Sequence, residues 1–288
     1  MVFIFIGIAA YLLQNFSNKI FIRNFKGENT YQNVLSLLFT TLIFAVINGI
    51  SFLPTASFIL SIVYGICYFG TIWCLVKSFN TGVLGIATII CNMGRLLSTF
   101  FGIIVYHNKC NIFTIIGMIL MLTVMILSSP LGEKSDNKKG YGWFFFALGS
   151  AAFNGILGII NTVVTTEYKD VSSQKFLLWG FVFATIVGAI FLSIEKSKTK
   201  TQPECIKKPQ KWALCSLGCA VGNAGGNFFI MKALETGTSS GIVFPVQTGL
   251  LSLLLWGMSY FVFKEVKATP RNLVALFLCI AGIILISI

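Results

Sequence analysis

Acidic side chains are scarce in this sequence: nine Asp and Glu stand among 288 residues, beside a single histidine and six prolines. Charged residues of both signs make up 10%, against roughly a quarter in soluble globular proteins, which excludes an ordinary solvated surface. The acids are Glu28, Glu133, Asp136, Glu167, Asp170, Glu195, Glu204, Glu235 and Glu265, and all fall in expected loops or at the ends of apolar runs. His107 has no second histidine near it. An enzyme working inside a membrane needs paired carboxylates, an activated nucleophile or clustered metal ligands there, so the absence argues against enzymatic chemistry. No catalytic residue, metal ligand or cofactor is expected. The lack of a mid-span acid also weighs against proton coupling through a buried carboxylate. The eight cysteines form no CxxC pair; Cys67, Cys74, Cys91, Cys215, Cys219 and Cys279 fall inside apolar runs, where they read as small core residues. The first run lacks the basic start and small-residue cleavage site of a leader, and it carries Tyr11, Gln14 and Asn15, so a retained helix is expected.

What is abundant is apolar: 56% hydrophobic residues and a mean hydropathy of +0.86. A helix needs about 20 apolar residues to cross a bilayer. Ten such runs are expected near 2–22, 31–50, 55–76, 82–106, 111–129, 141–164, 174–194, 211–231, 238–263 and 270–288, with no soluble domain left over. The fold class is an all-α membrane protein.

Positive charge is unevenly placed. Sixteen of the 21 Lys and Arg residues fall in loops after odd-numbered runs, among them Lys77, while four, Lys109, Lys169, Lys175 and Lys232, fall on the other side, and Arg95 lies within a run. The positive-inside rule makes the rich side cytoplasmic, with both termini outside for an even helix count. The net charge of +12 thus speaks for orientation and contact with anionic lipid, not for nucleic acid.

The chain also repeats itself. Lys77 in "LVKSFNTG" and Lys232 in "IMKALETG" lie 155 residues apart, and the same offset aligns Gly70 with Gly225, Trp73 with Phe228, Gly82 with Gly237, Asn92 with Gln247 and Gly94 with Gly249. Upstream, "GIAAY" at 7–11 echoes "GSAAF" at 149–153. Two five-helix repeats are expected, 1–130 and 141–288 with a linker at 131–140, and an odd helix number per repeat inverts the second relative to the first. Lys77 and Lys232 then lie at opposite membrane faces, each marking a mouth of the pathway.

The stretch "GIVFPVQTGLLSLLLWGMSYFVFKEV", Gly241 to Val266, with its proline, following helix and closing acid, resembles the ninth helix of the ten-helix drug/metabolite transporter superfamily of the EamA type. The resemblance covers the whole chain through helix count, length and duplication. The first half departs from it: Ile90 stands where Pro245 would repeat, and no acid answers Glu265. The resemblance implies cytoplasmic termini, against the lysine and arginine count.

Polar residues within spans are costly unless they face a cavity or one another, so their helical phase marks a pathway. Thr88, Asn92, Arg95 and Thr99 share one face of the fourth run. Asn154, Asn161 and Thr165 share one on the sixth, Ser216, Asn223 and Asn227 on the eighth, Tyr11, Asn15 and Asn18 on the first, and Tyr64, Tyr68 and Thr71 on the third. The ninth supplies Gln247. The fifth and tenth carry little polarity and are expected to face lipid or a second subunit, the route to a homodimer. Arg95 is the sharpest feature, since an arginine near the bilayer centre calls for a buried carboxylate and the runs supply none. The candidate substrate-binding residues are Arg95, Asn92, Thr88, Gln247, Asn223, Asn227, Tyr68, Trp73, Tyr11 and Asn154, with the aromatics packing on the organic part of a ligand and Pro245 as a hinge. "GNAGGN", 222–227, reads as small residues for close helix contact and not as a phosphate loop.

Two functions remain open. One is a secondary transporter in the plasma membrane of a bacterial-type cell, exporting or exchanging a small anionic or zwitterionic metabolite such as an amino acid. The other is a carrier of a neutral sugar or lipophilic drug in which Arg95 is structural.

Overall fold

A computed structural model describes residues 1–25, 29–81, 84–107, 111–127, 142–198, 209–264 and 269–287. The expected linker at 131–140, residues 199–208 of the basic loop, Gly82 and Glu265 lie outside the described residues. All regular structure among the described residues is helical: α1 (Val2–Asn24), α2 (Asn29–Asn48), α3 (Thr55–Thr81), α4 (Leu84–Met93), α5 (Leu96–Tyr106), α6 (Ile112–Leu127), α7 (Gly142–Glu167), α8 (Ser173–Lys198), α9 (Pro209–Glu235), α10 (Ser240–Phe261) and α11 (Pro270–Ser287). Hydrocarbon offers no hydrogen-bond partners, so each segment closes its backbone bonds on itself.

Helices α2, α3, α7, α8, α9 and α10 each hold a stretch long and apolar enough to cross a bilayer, and Ile90–Tyr106 and Leu273–Gly282 are shorter apolar stretches. The ten expected runs are therefore matched in part. The first falls short because Gln14, Asn15, Asn18 and Lys19 interrupt its apolar character, and the fourth because its helix breaks. Phe52, Ile104, Phe145, Leu214 and Phe277 are left largely uncovered on the outside, as hydrocarbon permits and water does not. The chain is an integral, multi-pass membrane protein.

The "ETG" punctuation has a local cause in the second half. Gly237 takes φ +86, which lets its N–H reach the Leu234 carbonyl at 3.0 Å and the Thr238 N–H reach Ala233 at 3.3 Å, closing α9 with a Schellman turn.

The fourth run departs from expectation most. It is two helices, α4 and α5, joined at Gly94 and Arg95. A side chain on Gly94 would put its Cβ 1.9 Å from the Ala151 carbonyl oxygen, so only glycine lets α7 come this close. The turn keeps these carbonyls bonded in the shorter i→i+3 form, Gly94 N–H to Cys91 at 3.2 Å and Arg95 N–H to Asn92 at 3.0 Å, and neighbours add a second bond to each. Asn154 Nδ2 donates to the Cys91 carbonyl at 3.0 Å and Thr248 Oγ1 to the Asn92 carbonyl at 3.2 Å. The hinge expected at Pro245 is not where the backbone breaks, because α10 runs through that residue without interruption.

Helix packing follows a reciprocal pattern. α1 lies along α9, and α3 along α7; α3 packs on α8, and α2 on α9; α7 packs on the broken α4 and α5, and α1 on α10. α2 packs on α8, α6 on α11, and α10 on α4 and α5. Gly222 permits the tight α1 crossing, since a Cβ there would meet the Ala10 carbonyl oxygen at 2.5 Å. α6 and α11, expected to face lipid or a second subunit, spend part of their surface on each other, with Met118, Val124, Ala275 and Cys279 buried in one cluster.

Candidate functional site

The break in the fourth run aims Arg95 into the interior. Around it lies a cavity of about 50 Å³, lined by Tyr11, Gln14, Asn15 and Asn18 of α1, Tyr68, Thr71, Ile72 and Leu75 of α3, Thr88, Cys91 and Asn92 of α4, Asn154 and Leu157 of α7, and Leu251 of α10. Arg95 Nε donates to Asn154 Oδ1 at 3.1 Å, and its guanidinium carbon stands 5.0 Å from the centre of the Tyr11 ring. Asn154 is thus held from both ends, its oxygen by Arg95 and its nitrogen by the Cys91 carbonyl. The neutral amide and the aromatic face both favour the cation, the latter by cation–π attraction. No carboxylate among the described residues lies within ion-pair distance of Arg95.

Six of the ten expected binding residues meet at this cavity: Arg95, Asn92, Thr88, Tyr68, Tyr11 and Asn154. Asn223 and Asn227 do not line it. They form a buried cluster behind Tyr68, in which Tyr68 donates its hydroxyl to Asn223 Oδ1, Asn227 Nδ2 reaches the Tyr68 oxygen at 3.2 Å, and Tyr64 donates to Asn227 Oδ1 at 3.1 Å. Gln247 is fully buried outside the lining, and neither its Oε1 nor its Nε2 has a partner; Asn92 Nδ2 is in the same condition. Gln247 nevertheless shares a face of α10 with the lining residue Leu251, one turn away.

Trp73 is a correction. It packs against Phe146 of α7 and Phe191 of α8, with the Lys77 Nζ 5.7 Å from its ring, so it lies on another face of α3 and not in the cavity. Counted from Tyr68, Thr71, Ile72 and Leu75 continue one face, while position 73 points well away from it. Lys77 also pairs with Glu195 at 3.9 Å, and Lys232 with Glu235 at 3.0 Å; both lysines are partly exposed at helix ends.

Gln14, Thr71 and Cys91 line the cavity without having been picked out as binding residues. Each had a visible signal: Gln14 is an amide one turn from Tyr11, Thr71 shares the polar face of the third run with Tyr68, and Cys91 lies one turn from Thr88 and from Arg95 on the same face. Cys91, read as a small core residue, has its Sγ 2.9 Å from Ser150 Oγ.

The profile of the EamA-like transporter family matches residues 141–288. No curated protein sequence matches this chain. A solved structure whose title reads only "Crystal structure of protein" superposes on 100% of this chain and 99% of its own with a TM-score of 0.71 at 14% identity, a likeness of fold.

Proposed function

We propose that this chain, which belongs to the EamA-like transporter family, part of the drug/metabolite transporter superfamily, carries a small anionic or zwitterionic organic metabolite such as an amino acid. Membership of the family makes it a membrane transporter of small molecules. The substrate class rests on one observation: Arg95, at a helix break midway along its run, reaches a cavity where its hydrogen-bond partner is a neutral amide. An arginine near the bilayer centre costs roughly 2.5–3.5 kcal/mol on insertion scales. The fork of donors on a guanidinium matches a carboxylate or phosphate bidentately, so the substrate itself would be the counter-ion.

The transport cycle we propose is alternating access between two inverted five-helix repeats, 1–130 and 141–288. The reciprocal packing supports it, because exchanging the halves turns α1 on α9 into α7 on α3, and α3 on α8 into α9 on α2. The cavity extends from Arg95 toward Asn18, Leu75 and Thr88, the ends of α1, α3 and α4 that adjoin the lysine-rich loops. We assign that face to the cytoplasm of a bacterial-type cell by its charge, and export or exchange as the direction of use.

The Asn154 bond and the Tyr11 ring also favour a second reading, a neutral sugar or lipophilic drug as substrate with Arg95 merely structural. Proteoliposome uptake of amino and organic acids separates the two. Under the anionic reading Arg95→Gln lowers uptake at least tenfold and Arg95→Lys retains part of it; uptake unchanged in Arg95→Gln, with a neutral solute competing, moves the assignment to the second.

A further inference from the structure

The repeat offset of 155 residues makes Tyr68 and Asn223 counterparts, and these two are hydrogen-bonded to each other. Under a two-fold rotation that exchanges the halves, a residue touches its own counterpart only on the axis. Asn92 and Gln247 are a second pair at that offset, and Thr248, adjacent to Gln247, donates to the Asn92 carbonyl at 3.2 Å. The two pairs draw the axis through the wall of the cavity that holds Arg95.

A bond between counterparts is carried onto itself when the halves exchange conformations, so it persists in both states. A bond between residues that are not counterparts is lost on exchange where the pair it maps onto cannot make it. Tyr64 and Asn227 are such a pair, joined at 3.1 Å, and the exchange carries them onto Cys219 and Ile72. Tyr64 is fully buried one turn from Tyr68, away from the lysine-rich loops, and Phe176 and Phe181 meet its ring edge-on. Toward the same ends of α1, α9 and α10, Ile4, Ile8, Ile230, Val243 and Phe244 are buried in one apolar cluster. Toward the lysine-rich loops the buried clusters among the described residues are smaller, Phe21 with Phe25 and Phe79 with Ala87.

Resting on the inverted-repeat reading, we infer a second, opposite-facing half of the substrate site, lined by Asn223, Asn227 and Gln247, the counterparts of Tyr68, Ile72 and Asn92. The Tyr64–Asn227 bond is the gate that parts to form it, and Tyr68–Asn223 is the pivot that remains. The unpartnered amide of Gln247 fits a group whose ligand arrives in the other state. The two halves differ in chemistry. Arg95 has Leu250 as its counterpart, and Thr88 and Cys91 have Val243 and Val246. The second half therefore presents amides and no cation, suited to the ammonium or hydroxyl groups of a zwitterion, and the anion is gripped from one side alone.

Thiol labelling tests this without substrate, so it stands or falls separately from the anionic reading. Full-length chains with the native cysteines replaced are reconstituted and exposed to an impermeant maleimide on each face, with Lys200→Cys and Lys169→Cys marking the two faces. The reporters are Leu75→Cys, in the present cavity, and its counterpart Ile230→Cys, which leave the gate intact. Leu75→Cys should label from the Lys200→Cys face and Ile230→Cys from the Lys169→Cys face. Tyr64→Phe should raise the Ile230→Cys rate at least threefold and lower that of Leu75→Cys; Asn227→Ser should do the same and replaces Tyr64→Phe should that chain fail to insert. Labelling of both reporters from one face, or a ratio of rates that stays within twofold of the parent, overturns the proposal.

Discussion

The pair α4 and α5, and the single helix α10, are built in opposite ways. The first has no proline and breaks, at Gly94 and Arg95; the second carries Pro245 and does not. The difference lies in what each helix meets. Gly94 meets the Ala151 carbonyl of α7, and the Cys91 and Asn92 carbonyls at the turn, each already bonded to the backbone N–H three residues on, take a second bond from Asn154 and Thr248. Pro245 is the sixth residue of α10, where the missing N–H would have reached only Gly241, in the opening turn of the helix. The turn is thus tolerated in hydrocarbon because its carbonyls stay bonded, through i→i+3 bonds and polar neighbours, and because Gly94 lets α7 come close.

Adding one methyl group to the broken helix should have the largest effect. In Gly94→Ala the new Cβ would sit 1.9 Å from the Ala151 oxygen and 2.6 Å from its carbonyl carbon, atoms of a helix backbone that cannot rotate away. Overpacking of this kind costs about 3 kcal/mol, so thermal unfolding of the purified protein should shift sharply down and transport should be lost. Gly257→Ala on the unbroken helix meets nothing within 4 Å and should be neutral or stabilise by about 0.5–1 kcal/mol. Equal responses in the two helices would remove the contrast.

An intermediate effect is expected at Asn154, which ties the break to the cation. Asn154→Leu leaves the Cys91 carbonyl and Arg95 Nε each without this partner. The Cys91 carbonyl keeps its bond from the Gly94 N–H, but a lost hydrogen bond to a charged group costs about 1.5–3 kcal/mol, so the variant should unfold earlier than Gly257→Ala and bind substrate more weakly, read as a rise in the half-saturating concentration for uptake. Asn154→Asp should differ in kind: a carboxylate beside Arg95 supplies the missing counter-ion internally, so stability should be retained while anion uptake falls.

The roles of these residues were unequally legible in the sequence. Asn154, Asn92, Arg95, Tyr11 and Tyr68 could be placed at one cavity because helical phase fixes which side chains share a face, and a shared polar face in hydrocarbon must point inward. Phase names a face and not the neighbour it meets. Asn223 and Asn227 share a face, yet it meets the tyrosines of α3 and its hydrogen bonds are filled there. The break at Gly94 depends on Ala151, 57 residues away, and glycine is common in membrane helices, so no local pattern announces it. Pro245 carried the louder local signal and the smaller structural consequence.

That consequence can be measured, and it should be the smallest of the three. Pro245→Ala restores an N–H to α10 and lets it bond to the Gly241 carbonyl, while the side chain loses part of its packing among Val243, Phe244 and Val246. A regained neutral hydrogen bond contributes about 1 kcal/mol and the lost ring methylenes cost a similar amount, so the unfolding temperature should barely move. Transport is the sharper readout. If the chain rocks about its axis with α10 moving as one rod, the turnover of Pro245→Ala should stay within about twofold of the parent. A tenfold fall in turnover with unchanged half-saturation would mean that α10 bends at Pro245 during the cycle, and that the break seen in α4 and α5 in this state is matched by one in α10 in the other.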